Sequence, residues 1–280
     1  MTVEVHGTCD EKFASVRDLL AKNIEDGQDV GSSFALTING ESVIDIWAGH
    51  QDEARQQEWQ EDTIINVYST TKTMSFLCAL ILADRGQLDF DENVARYWPE
   101  FAQNGKKEVK VWHLMNHAAG LSGLDQQMAP EELYDWDKIC SALAAQAPWW
   151  EPGTASGYHA ITQGYLIGEV VRRITGKTLG QFFRDEIAVP LDADFYIGVP
   201  ESEFDRICNL IPVGEGEAPD DSEPGSIAAR TFASPFSPAP YSATPAWRKA
   251  EIPAANGHGN ARSVAKLQAP LACKGSAFGV

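Results

Sequence analysis

Residues 66–74 read Asn66-Val67-Tyr68-Ser69-Thr70-Thr71-Lys72-Thr73-Met74. They continue a short β-prone run that starts at Ile64 and open a segment containing Met74, Phe76, Leu77, Ala79, Leu80, Ile81, Leu82 and Ala83. That segment is apolar on nearly every side, so it predicts a helix buried in a core. It is expected to stop near Gly86, a good helix terminator. On such a helix Ser69 and Lys72 share a face one turn apart. A serine hydroxyl is a poor nucleophile until a neighbouring base takes its proton, and Lys72 is within reach of it. A serine at the start of a helix also serves as an N-cap. Ser263-Val264-Ala265-Lys266 repeats the spacing without the strand-then-buried-helix context.

A second constellation lies at residues 148–168. There Glu151-Pro152-Gly153-Thr154 and Gly157-Tyr158-His159-Ala160 precede an apolar stretch. Tyr158 sits in a glycine-punctuated loop just before a helix and could project its phenol into a cleft; packing with a solvent-facing hydroxyl is the commoner fate of tyrosine.

With these segments in hand the chain resembles the class C β-lactamase superfamily, and within it the family VIII carboxylesterases. Ser69-Thr70-Thr71-Lys72 looks like the Ser-x-x-Lys motif of serine β-lactamases and penicillin-binding proteins. Residues 85–100 look like the connector after the nucleophile helix. Val111-Trp112-His113-Leu114-Met115-Asn116-His117-Ala118-Ala119-Gly120-Leu121 looks like the family's "LL-x-H-x-x-GL" segment. The matches run in order from about residue 30 to 270.

The resemblance implies an α+β, β-lactamase/transpeptidase-like fold: an antiparallel sheet flanked by helices, with a mainly helical lobe at about 85–190. It also implies roles: Ser69 as nucleophile, Lys72 as its partner and Tyr158 as general base. Lysine and tyrosine ordinarily titrate near 10, so the site must lower one of them, and the pair is expected to titrate as a coupled unit. The family's Tyr-x-Asn carries Ala160 in place of asparagine here. That amide helps hold a β-lactam side chain, so its loss favours small carboxylic esters as substrates, with weak β-lactam hydrolysis as a side activity. Gly120-Leu121-Ser122-Gly123-Leu124 fails the Gly-x-Ser-x-Gly elbow at its last position, against an α/β-hydrolase.

Relatives continue past the equivalent of Ala272 with several strands, one bearing a Lys/His-x-Gly motif and an oxyanion-hole N–H. Lys274-Gly275-Ser276 lacks the spacing for that motif, and His258-Gly259-Asn260 belongs to an earlier segment. The expectation is therefore a chain short of its C-terminal strands, with an exposed sheet edge prone to self-association. Loss of one oxyanion donor costs about 10²–10³ in rate. A catalytically impaired or non-catalytic ligand-binding member is thus the main alternative, and a peptidoglycan peptidase a third.

Elsewhere along the chain, residues 11–26 predict an amphipathic helix with Phe13, Val16, Leu19, Leu20 and Ile24 on one side. Asn39-Gly40 between two β-prone runs is a strong hairpin signal. A further strand is expected over 194–199. Seven of the fifteen prolines fall in 212–245, predicting an irregular surface excursion that forms either a lip over the site or a flexible loop. The 280 residues are expected to form a single domain.

The net charge of −18 argues against nucleic acids and anionic membranes as partners. No basic start followed by an apolar run is seen at the N-terminus, and the five scattered cysteines lack a CxxC pair. Both point to a cytoplasmic protein with free thiols. His113 and His117 stand four apart and could share one helix face, but no third ligand suggests itself, so no metal and no cofactor are expected.

Overall fold

The computed structural model describes residues 3–211, 223–234 and 239–276. The N-terminal part is a three-stranded antiparallel sheet of β1 (Val5–Cys9), β2 (Gly31–Ile38) and β3 (Glu41–Gly49), in the order β1-β3-β2. The expected hairpin joins β2 to β3. Asn39 and Gly40 both take positive φ, 53° and 78°, the conformation a tight two-residue hairpin turn demands. Helix α1 (Ala14–Glu25) covers one face of this sheet, and Leu20 and Ile24 pack there with Ile44, Ile46 and Ala48. Leu19, expected on the same side, is 57% exposed instead. One residue is a 100° step on a helix, so Leu19 and Leu20 cannot both face a narrow core.

A second sheet holds β4 (Ile64–Asn66), β5 (Phe195–Ile197), β6 (Ile207–Cys208) and β7 (Gly257–Gly259), in the order β5-β7-β4-β6. β7 pairs antiparallel with both neighbours, whereas β4 and β6 run parallel. The strand expected over 194–199 is thus the shorter β5.

The helical lobe holds α2 (Thr71–Asp84), α3 (Val94–Tyr97), α4 (Val111–Met115), α5 (Trp136–Ala145), α6 (Thr162–Thr175) and α7 (Leu179–Phe183). α6 is its axis and packs against the other five. α2 is buried along most of its length, as its all-round apolar sequence predicts, and the chain turns away at Gly86 with φ of 67°. One large core runs from Met74 and Leu82 through Trp98, Phe101 and Tyr165 to Phe195 and Trp247.

Within the proline-rich excursion, residues 212–222 and 235–238 lie outside the described residues. The rest is less irregular than expected. Helix α8 (Ile227–Ala233) is capped by Ser226 and held by Thr231 Oγ1 to Ser122 Oγ, and α9 (Pro245–Lys249) is capped by Thr244. Thr231 and Ser234 are buried against the 122–126 loop. Helix α10 (Ala261–Ala272), capped by Asn260, packs against β2. Lys274 and Gly275 form the turn that follows it.

Candidate active site

β4 delivers the chain to Tyr68, a bulky residue held at φ of 42°. This left-handed conformation is uncommon outside glycine and tends to occur at functional sites. Thr71 accepts from the Gly257 N–H and donates to the Tyr68 carbonyl, which fixes the strand-to-helix corner. Ser69 lies just before α2. Its side chain is not a cap: Ser69 Oγ meets Tyr158 Oη at 2.5 Å and Lys72 Nζ at 3.1 Å. The Lys72 N–H donates to the Ser69 carbonyl, so the first turn brings the two side chains together. Among the described residues the Ser69 N–H has no acceptor and is available to a ligand.

Lys72 is 5% exposed. Its ammonium nitrogen also donates to the carbonyls of Ala160, at 2.7 Å, and Ala254, at 2.9 Å. Among the described residues no carboxylate balances it. Burial therefore lowers its pKa from 10.5 to about 7, as desolvation disfavours a cation. It also sits 4.8 Å from the centroid of the Tyr158 ring.

The floor of the site is a buried loop that sequence reasoning missed. Three consecutive carbonyls each take one polar side chain from the strand-helix unit: Pro253 from Ser75, Ala254 from Lys72, and Ala255 from Asn66. Asn256 braces this loop. It donates to the carbonyls of Trp247 and Ala250 and accepts from the Ile252 N–H. The signal in the sequence was Asn66, at the end of the apolar β4, and Ser75, a polar residue inside the apolar run that starts at Met74.

Tyr158 is 46% exposed and stands on the loop before α6. Behind it lies His159, fully buried. His159 Nδ1 meets the Gly157 carbonyl at 2.6 Å and so carries the proton, which leaves Nε2 to accept from the Leu121 N–H. Burial pushes His159 down to about 4, so it stays neutral.

The other sequence candidates fall elsewhere. Ser263 is buried in the first turn of α10, where it accepts from the Asp194 N–H, while Lys266, one turn on, bonds the Asp192 carbonyl; the second Ser-x-x-Lys is structural. α4 ends at Met115, so His113 and His117 do not share a helix face. His113 Nδ1 instead accepts from the Lys110 N–H, and His117 Nδ1 from the His159 N–H. Among the described residues no group of three or more His, Cys, Asp or Glu side chains is arranged to hold a metal. A cavity of about 870 Å³ lies between β2, β5 and α10 and is lined by none of Ser69, Lys72 and Tyr158.

The sequence and the fold have known counterparts. The Beta-lactamase family profile matches residues 16–273, and the chain belongs to that family. It is 34% identical to the esterase/β-lactamase LipL of Mycobacterium tuberculosis (strain ATCC 25618 / H37Rv), over 99% of this chain and 66% of LipL. It is similar to the crystal structure of a family VIII carboxylesterase, with 45% identity and a TM-score of 0.92, over 99% of this chain and 73% of that one. A penicillin-binding protein homolog from Caulobacter crescentus superposes with 40% identity and a TM-score of 0.88, over 99% of this chain and 74% of that one. The chain thus spans somewhat under two thirds of LipL, and its match to a β-lactamase of Escherichia coli (strain K12) spans 47% of that protein. Among the described residues no helix is long and apolar enough to cross a membrane.

Proposed function

We propose that this chain is a serine hydrolase that cleaves small carboxylic esters through an acyl-enzyme on Ser69. The observation that carries the reading is the position of Ser69 Oγ, 2.5 Å from the Tyr158 hydroxyl and 3.1 Å from Lys72 Nζ. A neutral lysine has two N–H donors and one lone pair. The Ala160 and Ala254 carbonyls take the two donors, so the lone pair faces Ser69 Oγ. Once Lys72 accepts the serine proton it has three donors for the same three acceptors. Neither state needs rearrangement.

In the proposed reaction Ser69 Oγ attacks the ester carbonyl and its proton passes to Lys72, which takes the general-base role that the resemblance implied for Tyr158, because its lone pair faces Ser69 Oγ. The Ser69 N–H supports the developing oxyanion. The C–O bond to the alcohol then breaks. Tyr158 donates its proton to the departing alkoxide and is reprotonated from Lys72. Water reverses these transfers and releases the acid. The names of LipL and of the family VIII carboxylesterase support ester hydrolysis, and Ala160 in place of an amide supports esters over β-lactams, which remain a minor substrate in this reading.

The test is intact mass after incubation with a serine-directed fluorophosphonate, for wild type and Ser69→Ala. One adduct in wild type, absent in the variant, together with loss of short-chain ester turnover, is the expected result. Wild type without an adduct would sink the hydrolase reading and leave a ligand-binding role.

A further inference from the structure

The Tyr158 hydroxyl is useful only if a half-exposed loop residue is held against Ser69. Both backbone amides that flank Tyr158 donate to one residue. The Gly157 N–H reaches the His117 carbonyl at 3.1 Å, and the His159 N–H reaches His117 Nδ1 at 3.0 Å. The His117 ring lies against the Tyr158 ring, with centroids 4.9 Å apart. His117 itself holds φ of 64°, a left-handed backbone that a non-glycine residue adopts at a cost. This conformation lets its carbonyl and its ring serve the same short stretch of chain. Since Nδ1 accepts, the ring proton sits on Nε2. Burial, and then the nearby Lys72, push His117 down to about 4, so Nδ1 keeps its lone pair at neutral pH.

We propose that His117 is the positioning residue for Tyr158: its Nδ1 and its carbonyl clamp the amides on either side and hold the phenol against Ser69. The inference deepens the proposed function and rests on it only where turnover is the readout. Displacement of a reacting group by about 1 Å can cost about 100-fold in rate.

Two variants separate the clamp from general packing. His117→Gly suits the left-handed backbone, keeps the main-chain carbonyl and removes the ring. His117→Asn also tolerates that backbone and places an oxygen acceptor where Nδ1 stands. The expected result is a fall of about 100-fold in kcat for His117→Gly with KM little changed, and recovery to within about tenfold of wild type in His117→Asn. A readout that needs no turnover is the ¹³Cζ resonance of Tyr158 in tyrosine-labelled protein, assigned with Tyr158→Phe. It is expected to move toward the position of a mobile tyrosine in His117→Gly and to stay near the wild-type position in His117→Asn. Were the resonance unmoved in His117→Gly, or were His117→Asn as displaced as His117→Gly, the clamp would be overturned. Loss of the fluorophosphonate adduct in wild type would count against the hydrolase reading alone, because the resonance would still report on the clamp.

Discussion

At the residue scale the decisive group is Lys72. Ser69 and Lys72 were legible as a pair because a helix places residues three apart on one face. That Lys72 is sealed from solvent, without a carboxylate, was not legible, because its acceptors are the carbonyls of Ala160 and Ala254, 88 and 182 residues away. The pH dependence follows from the direction of the shift. Burial lowers Lys72 to about 7 in the folded chain, against 10.5 for an ordinary lysine. Between these values the unfolded chain holds the proton and the folded one does not, so this group's contribution to stability rises with pH across that window; below it the full burial penalty applies. In the proposed mechanism the neutral amine is the active form. We therefore expect kcat/KM for an uncharged ester to climb about tenfold per pH unit below pH 7 and to level off above about pH 8. A stopped assay with pH-jumped enzyme would check it; a flat profile from pH 5 to 9 would show that Lys72 is not the titrating base.

At the element scale the site depends on how closely α6 approaches the 252–256 loop. A Cβ on Gly164 would stand 2.5 Å from the Ala254 nitrogen and 2.6 Å from the Pro253 carbonyl carbon. Both are backbone atoms, so the loop itself must shift, and with it the carbonyl that holds Lys72. Gly164→Ala is expected to lose about 1–3 kcal/mol of stability, as overpacked cores do, and to lose ester turnover disproportionately. Chemical denaturation beside an ester assay would read both. Asn256 makes a second prediction for the same loop. Asn256→Ala would strand the Trp247 and Ala250 carbonyls and the Ile252 N–H, at about 1–3 kcal/mol for each buried group left unpaired. A drop of less than 1 kcal/mol in urea melts would mean that water replaces these bonds. The hairpin at Asn39-Gly40 and the buried helix α2 were readable because their signals are local. β7 was not. Gly257-His258-Gly259 has no β propensity, and it is a strand because β4 and β5 pair with it on both sides.

At the scale of the whole molecule, the net charge of −18 sets the balance of long-range forces. Several exposed ion pairs bridge distant segments, among them Arg230 with Asp125 and Lys249 with Glu201. Surface pairs of this kind contribute little each, whereas the excess of like charge repels throughout. The melting temperature at pH 7 should therefore rise as NaCl goes from about 10 mM to about 150 mM, because the screening length falls from about 30 Å to about 8 Å. A fall on adding salt, seen by differential scanning fluorimetry, would mean that the ion pairs outweigh the repulsion. The same separation of near and far divides what the sequence by itself determined from what it left open. The Ser-x-x-Lys pair, the hairpin and the buried helix follow from the periodicities of single elements, and the order of the motifs was enough to indicate the family. Only the tertiary structure decided that Tyr158, 89 residues from Ser69, meets its hydroxyl, that the serine of the second Ser-x-x-Lys is buried on α10 against Asp194, and that His117 ends up beside Tyr158 and away from any helix face it could share with His113. Those placements come from packing between elements distant in sequence, and no local repeat encodes them.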